Sequence, residues 1–122
     1  MCDALGNPVD LMLTPGQAHD LDGADAMIPR LRATALIADR GYDADGRVLD
    51  RLAGAKIDAV IPSRRGRLAR RGIDRHLYAR RHLVENFFAR LKLWRGIATR
   101  YDKTARNFLG AIQLAAAVIL LN

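Results

Sequence analysis

Residues 35–62 read ALIADRGYDADGRVLDRLAGAKIDAVIP, and this stretch decides the fold class of the chain. Two short apolar runs, Ala35–Ala38 and Ala59–Ile61, predict buried strands, because parallel strands covered on both faces consist of continuous apolar residues. The residues between them predict a helix over roughly 44–53, with Asp43 as a candidate cap at its start. A strand, a helix and a second strand in this order indicate an α/β fold with a parallel sheet.

Two further elements are predicted before this stretch. Val9–Leu13 predicts a strand, and Gly6-Asn7-Pro8 in front of it predicts a turn. A turn that leads into a strand requires a partner strand, so we expect the chain to begin inside a hairpin. Leu21–Leu31 predicts a helix that begins near Asp20 or Asp22.

The second half of the chain has a different character. Residues 63–73 predict an exposed basic loop, because arginines and glycines dominate this segment. A long helix is predicted at about 74–95, with Asp74 as its cap, and a final helix at about 105–121. In the final helix we expect Leu114 to face the core.

Charge divides the chain unevenly, although the net charge is only +7. Residues 1–62 carry ten acidic and six basic side chains, whereas residues 63–122 carry fourteen basic and three acidic ones. A half this rich in arginine favours a polyanionic partner, since the guanidinium fork matches phosphate oxygens. A solvated basic surface is the other interpretation. The length of 122 residues and the 50% hydrophobic content predict one domain, 1–122, with a modest core.

The single cysteine, Cys2, excludes an internal disulfide and fits a reducing cytoplasm. No secretion signal is visible at the start of the chain. The most apolar run, Ala115–Leu121, is far shorter than the roughly 20 residues needed to cross a bilayer. We therefore expect a cytoplasmic protein without a membrane partner.

Two acidic residues stand out as candidates for chemistry. Asp39 follows a predicted parallel strand, at the edge where α/β sheets form their sites, but an Asp there equally serves a loop or a cap. Glu85 is the only glutamate in the chain and lies within the predicted basic helix. At about 100° per residue, one arc of roughly 60° holds four polar side chains, Tyr78, Arg81, Glu85 and Lys92. Glu85 is either a functional group or the i, i+4 ion partner of Arg81, and spacing leaves both interpretations open.

The order of these four residues resembles the Y-R-E-K signature of insertion-sequence DDE transposases. Arg81 follows Tyr78 after two residues, Glu85 follows after three more, and Lys92 after a further six. The segment 14–20, TPGQAHD, is similar to the one that follows the third strand in that family. The segment 38–43, ADRGYD, is similar to the one that carries the second catalytic Asp. The resemblance covers essentially the whole chain.

This resemblance implies a ribonuclease-H-like α/β fold and an activity of DNA strand cleavage and transfer. In the family, an Asp, Asp and Glu triad holds two Mg²⁺ or Mn²⁺ ions, which activate the attacking hydroxyl and stabilise the leaving oxygen. Asp39 would be the second of these acids and Glu85 the third, as catalytic and metal-binding residues. Hard cations of this kind prefer carboxylate oxygen.

The resemblance also implies double-stranded DNA as partner, namely the terminal inverted repeats of a transposon and the target DNA at the bacterial nucleoid. Arg81 and Lys92 would contact DNA phosphate, and Tyr78 would position the DNA end. The basic loop adds five candidate DNA-binding side chains, Arg64, Arg65, Arg67, Arg70 and Arg71. An upstream transposase segment or a second transposase copy is a further expected partner.

The sequence departs from the family at its start, where the first catalytic Asp is expected on a central strand. Asp3 is the nearest acid, and it precedes the turn at 6–8. We therefore expect an N-terminally truncated domain that is inactive alone. A downstream product of two overlapping reading frames and a decayed remnant both fit this pattern. The alternatives are a non-catalytic DNA-binding fragment that inhibits the intact transposase, and a small nucleic-acid-binding domain, which the Y-R-E-K spacing disfavours.

Overall fold

The computed structural model describes residues 1–16, 18–99 and 104–121. The single predicted domain divides into two compact units. Residues 14–81 form one, called here the central unit, and residues 1–13 together with 82–122 form the other, called the terminal unit. Each unit has a hydrophobic core of its own.

A two-stranded parallel sheet organises the central unit. Strand β1 (Ala35–Ile37) pairs in parallel with strand β2 (Asp58–Val60). Between them, a helical segment opens with π-helical hydrogen bonds over Asp45–Leu49 and continues as α2 (Asp50–Gly54). The predicted strand–helix–strand order and the parallel pairing are confirmed, and β2 begins one residue earlier than the sequence indicated.

The buried core of the central unit comes mainly from its helical segments. The predicted apolar runs contribute Ile61, and their residues Leu36, Ala38 and Ala59 are only partly buried against this core. Val48, Leu52 and Ile61 are completely buried. The other buried members of this core are Leu21, Ala24, Ile28 and Ile57. Because helices this short are marginal in water by themselves, packing of these side chains holds them in place.

Helix α1 (Asp20–Met27) supplies part of this core and continues as one 3₁₀ turn over Ile28–Arg30. Its start agrees with the prediction. The cap is His19, whose Nδ1 accepts a hydrogen bond from the amide of Leu21 at 3.1 Å. Asp20 lies in the first turn, where the helix dipole favours negative charge.

Ion pairs connect α1 with the helical segment that precedes and includes α2. Arg47 donates to Asp22 at 2.8 Å and to Asp25 at 2.6 Å, and Arg51 donates to Asp25 at 3.2 Å. These side chains are between 35 and 52% exposed, and solvent screens ion pairs at the surface. The contacts orient the two helical segments more than they stabilise them.

The terminal unit begins with a tight turn held by Asp3. The Asp3 carboxylate accepts hydrogen bonds from two backbone amides of the turn, both at 2.9 Å, and from the Asn7 side chain at 3.2 Å. Gly6 has φ +86°, a left-handed conformation that glycine adopts without strain. Cys2 and Pro8 form an antiparallel bridge across this turn. A turn is therefore present, but it lies at residues 4–6, two residues before the predicted 6–8.

Val9–Leu13 is irregular chain, so the prediction of a strand there is wrong. The amides of Val9 and Asp10 both donate to the Met1 carbonyl, at 3.0 and 3.4 Å, and the Met1 ammonium donates to the Asp10 carbonyl at 2.7 Å. These bonds converge on one residue, whereas a strand needs bonds that alternate along a partner. Leu11 and Leu13 nevertheless pack against the core of the terminal unit.

The segment predicted as one helix over 74–95 contains two shorter helices, and a third begins at its last residue and extends beyond it. They are α3 (Arg75–Ala79), α4 (His82–Leu91) and α5 (Arg95–Ala98). Asp74 caps α3 as predicted, because its carboxylate accepts hydrogen bonds from the amides of His76 and Leu77.

The first interruption of the predicted helix lies at Arg80 and Arg81. Their amides donate to the carbonyls of Leu77 and Tyr78, three residues back, which tightens the turn and ends the α-helical pattern.

The final helix, α6 (Ala105–Leu121), agrees with its predicted bounds. It packs on α4, and the buried positions of the pair are Phe87, Leu91, Ile112, Ala115, Ala116 and Ile119. Leu114, which was predicted to face the core, is instead 66% exposed. Two residues of helix rotate a side chain by about 200°, so Leu114 points away from the face that Ile112 occupies.

Ile112→Ala and Leu114→Ala remove side chains of similar size two residues apart on α6. We expect Ile112→Ala to lower the free energy of unfolding by about 2–4 kcal/mol, because Ile112 is 7% exposed. Leu114→Ala should change it by less than about 0.5 kcal/mol. Urea denaturation followed by circular dichroism measures both values. Equal losses in the two variants would contradict this orientation of α6.

Candidate functional site

Asp39 follows β1 as the sequence predicted, two residues beyond the end of the strand at Ile37. Its carboxylate is exposed, and its Oδ1 accepts a hydrogen bond from the amide of Gly41 at 2.8 Å. This bond caps a single 3₁₀ turn over Arg40–Tyr42. In the part of the chain that the structure describes, the second oxygen of Asp39 has no hydrogen-bond partner. One oxygen is therefore fixed and the other is available to a ligand.

Gly41 allows this close approach. A Cβ atom built at position 41 would lie 2.9 Å from the Asp39 Oδ1, closer than real Cβ contacts. Any other residue at this position would push the carboxylate away from the amide. The glycine in the ADRGYD segment thus has a direct role in orienting the candidate metal ligand.

Asp43 is the buried charge of the central unit, with a side chain that is fully enclosed. Its Oδ2 accepts hydrogen bonds from the amide of Arg64 at 2.7 Å and from Arg67 Nε at 2.8 Å, and its Oδ1 accepts one from Arg71 Nη1 at 2.8 Å. The prediction that Asp43 caps the following helix is wrong, because the capping position is Ala44 and no side chain caps it. Asp43 binds the basic loop instead.

These partners set the protonation of Asp43. Burial by itself raises the pKa of a carboxyl group, but the hydrogen bonds from the Arg64 amide, Arg71 and Arg67 outweigh that effect. They lower the pKa of Asp43 from 3.8 to about 2. The carboxylate is therefore charged at neutral pH.

The basic loop has no helix or strand, as predicted, but its arginines do not behave alike. Arg64, Arg67 and Arg71 have intramolecular partners. Besides their contacts with Asp43, Arg64 donates to the Gly41 carbonyl at 3.0 Å, Arg67 to Asp45 at 2.9 Å and Arg71 to the Ile61 carbonyl at 2.7 Å. These three fix the loop to the turn after β1 and to the end of β2.

Arg65 and Arg70 are the outward-facing members of the loop. Both are exposed, and among the described residues neither side chain has a hydrogen-bond or ion-pair partner. Sequence analysis could not separate these two from the other three arginines, because Asp43, the acid that binds those three, lies 21 to 28 residues before them.

The four signature residues are distributed over both units. Tyr78 on α3 and Arg81 after it belong to the central unit. The Arg81 guanidinium lies over the Tyr78 ring, with its Cζ 5.8 Å from the ring centroid. Glu85 on α4 and Lys92 after it belong to the terminal unit, and both are exposed. The predicted common arc on one helix is not present, because the helix is interrupted between the two pairs.

Asp39 and Glu85 likewise belong to different units. Within the described ranges, no group of three or more His, Cys, Asp and Glu side chains is arranged to hold a metal ion. The two candidate metal ligands are thus exposed carboxylates, each carried by its own unit.

Comparison with known proteins adds a separate line of evidence. Residues 1–120 match the family model described as Transposase DDE domain. The chain is 38% identical over 120 residues to a protein of Brucella ovis described as "Putative transposase for insertion sequence element IS6501". That alignment covers 98% of this chain and 92% of the relative. No solved structure matches the chain. Among the described residues, no helix is long and apolar enough to span a membrane.

Asp43→Asn tests the anchoring of the basic loop. The substitution removes the charge that Arg67 and Arg71 share, and breaking a buried ion pair costs about 3 kcal/mol or more. We expect a loss of this size in the free energy of unfolding at pH 7. Asp45→Asn is the matched control, because Asp45 is 68% exposed and pairs with Arg67 alone, so its loss should stay below about 1 kcal/mol.

The buried contact of Asp43 also predicts how the free energy of unfolding depends on pH. Because folding lowers the pKa of Asp43 from 3.8 to about 2, its contribution to stability is complete above the unfolded pKa and disappears as the pH falls through the folded pKa. Between pH 4 and pH 2 the wild-type chain should therefore lose more stability than Asp43→Asn. Parallel pH profiles for the two proteins would contradict the buried contact.

Proposed function

The chain belongs to the family of insertion-sequence DDE transposases, and we propose that it supplies two metal-binding carboxylates and a DNA-binding surface for strand cleavage and joining. The observation that carries the proposal is Asp39, an exposed carboxylate just beyond a parallel strand with one oxygen oriented by Gly41. This is the edge at which α/β sheets build their sites. The ribonuclease-H-like fold that the family implies is part of the proposal.

The donor chemistry of Asp39 and Glu85 fits a divalent ion such as Mg²⁺ or Mn²⁺. Both are exposed carboxylates, and hard cations bind oxygen. When bound, two such ions supply activation of the attacking hydroxyl and stabilisation of the leaving oxygen. The Gly41 amide holds one oxygen of Asp39 in place and leaves the other for the metal. Glu85 would contribute its carboxylate from α4.

A complete site needs a third carboxylate, and we propose that Asp3 does not provide it. Asp3 already accepts three hydrogen bonds within its own turn. Asp43 is committed to arginines and Asp74 to the cap of α3. Another transposase segment or a second copy of the chain would bring the missing group, so the chain alone would not cut DNA.

The proposed DNA contacts come from cations on each of the two units. Arg65 and Arg70 would contact phosphate directly, whereas the arginines bound to the buried carboxylate hold the loop in shape. Tyr78 and Arg81 form a stacked pair that would meet the DNA end, and Lys92 would add a phosphate contact from the terminal unit. The terminal inverted repeats and the target DNA are the expected ligands.

A second candidate function is a non-catalytic DNA-binding protein that competes with the intact transposase. The observation that favours it is that no three-acid group is present in the described part of the chain. The two candidates share the same DNA surface. They differ in whether strand cleavage appears once a third carboxylate is supplied.

We expect the chain alone to bind duplex DNA with strong salt dependence and to leave it uncut in Mg²⁺ or Mn²⁺. Each phosphate contact should contribute about −0.9 to the slope of log affinity against log salt. Fluorescence anisotropy at several salt concentrations measures the slope, and gel electrophoresis of terminal-repeat DNA measures cutting. The double variant Asp39→Ala/Glu85→Ala is the control. Cleavage by the wild-type chain that this variant loses would show that no further carboxylate is needed.

Glu85→Gln tests the proposed metal ligand in a protein completed by an upstream transposase segment, either fused or co-expressed. Glutamine keeps the shape and helix propensity of glutamate but removes the charge that a hard cation requires. We expect strand cleavage to be abolished while DNA affinity is retained. Arg81→Ala should instead weaken binding and cleavage together.

An ion-pair role for Glu85 makes a different prediction in the same assay. If Glu85 only neutralised a neighbouring arginine, both variants would have similar, mild effects of a few tenths of a kcal/mol. Cleavage by Glu85→Gln at the wild-type rate would refute the assignment of Glu85 as a metal ligand.

A further inference from the structure

A cavity of about 390 Å³ in the central unit is surrounded by positive charge. Its lining includes four arginines, a serine and a tyrosine, Arg40, Arg70, Arg71, Arg75, Ser63 and Tyr78. No acidic side chain is among its described lining residues. Pockets that bind small ligands range from roughly 300 to 1,000 Å³, so the cavity has room for one nucleotide unit.

Three different segments build the cavity. Arg40 comes from the turn after β1 and directly follows Asp39, whereas Ser63 and Arg70 come from the basic loop. Arg75 and Tyr78 come from α3, three residues apart and hence on one side of that helix. Donors therefore converge on the cavity from separate parts of the chain, as recognition of a compact multi-oxygen anion requires.

The charges around the cavity are not equally compensated. Arg71 is paired with Asp43, yet its Nε is a buried donor that has no hydrogen-bond partner among the described residues. The side chains of Arg40, Arg70 and Arg75 are exposed and form no ion pair in the described part of the chain. Three cations on one concave surface without an acid repel one another, and a bound anion would relieve this repulsion.

The polar groups of the cavity match phosphate. Guanidinium groups bind phosphate oxygens with paired, planar donors. The Ser63 hydroxyl accepts a hydrogen bond from the Arg71 amide at 2.9 Å, so its own proton is available to an acceptor. The Tyr78 ring offers an apolar surface on which the sugar or base next to the phosphate can pack.

We infer that this cavity is a binding subsite for one phosphate group of a nucleic-acid strand. The inference rests on the proposed DNA-binding function and adds Arg40, Ser63 and Arg75 to the residues that would serve it. Because Arg40 directly follows Asp39, the subsite is covalently joined to the candidate metal ligand. A strand held at this phosphate would be aligned with the turn that carries Asp39.

The salt dependence of DNA binding tests whether the cations act as one subsite. We compare the wild-type chain with Arg40→Gln, Arg75→Gln and the double variant, using Arg32→Gln as the control. Arg32 is exposed, carries the same charge and does not line the cavity. Far-UV circular dichroism confirms that each variant is folded.

If Arg40 and Arg75 contact the same phosphate, the effects of the two substitutions on the salt dependence do not add. The slope of log affinity against log salt should become shallower by about 0.9 in the double variant, no more than in the stronger single variant, and should change less in Arg32→Gln. A change of about 1.8 in the double variant would mean two separate phosphate contacts and would overturn the inference. A change in Arg32→Gln equal to that in Arg75→Gln would also overturn it.

A second measurement separates the subsite from DNA binding as a whole. Inorganic phosphate is titrated with the full chain, and the width of the ³¹P resonance is followed. We expect broadening with the wild-type chain and Arg32→Gln, and none with the double variant. Equal broadening with the double variant would overturn the subsite. A third outcome is that the chain does not bind DNA, yet phosphate broadening still requires Arg40 and Arg75. This outcome would overturn both the proposed function and the assignment of a nucleic-acid strand as the ligand, and the ligand would then be free phosphate.

Discussion

The arrangement of the central unit depends on the hydrogen bonds and ion pairs that the buried Asp43 carboxylate forms with the basic loop. Both of its oxygens are used, one by Arg71 and the other by Arg67 and the Arg64 amide. A buried charge persists in a fold only when it is fully paired. Here the pairing joins a loop of low apolar content to the strand ends, which hydrophobic burial alone would not do. The position of the arginines around the turn after β1 follows from this one acid.

Local signals in the sequence were sufficient for several elements. The apolar runs at β1 and β2, the Asp74 cap and the bounds of α6 were predicted because each depends on residues a few positions apart. Side-chain contacts between residues far apart in the sequence were not predicted. Asp43 was assigned to a cap, since its arginine partners are 21 to 28 residues away. The strand at 9–13 failed because a strand exists only if another segment pairs with it.

The Y-R-E-K spacing led to the correct family, although the four residues do not lie on one helix. The order and separation of Tyr78, Arg81, Glu85 and Lys92 resembled the signature whether or not these residues shared a helix. The inference that they lie on one arc required an uninterrupted helix, and the turn at Arg80 and Arg81 removes that condition. Leu114 was misplaced for a different reason, since the buried face of α6 depends on how this helix packs against α4.

The contact between Asp39 and Gly41 has an entropic consequence. An aspartate on a flexible loop samples several rotamers, and a ligand that binds it must select one of them at a cost in conformational entropy. In this chain the hydrogen bond from the Gly41 amide restricts the carboxylate while the protein folds. A cation that reaches Asp39 therefore meets one preorganised oxygen, and less ordering remains to oppose its binding. In the proposed metal site, the affinity for a strongly hydrated ion would thus depend in part on the one amino acid that has no side chain.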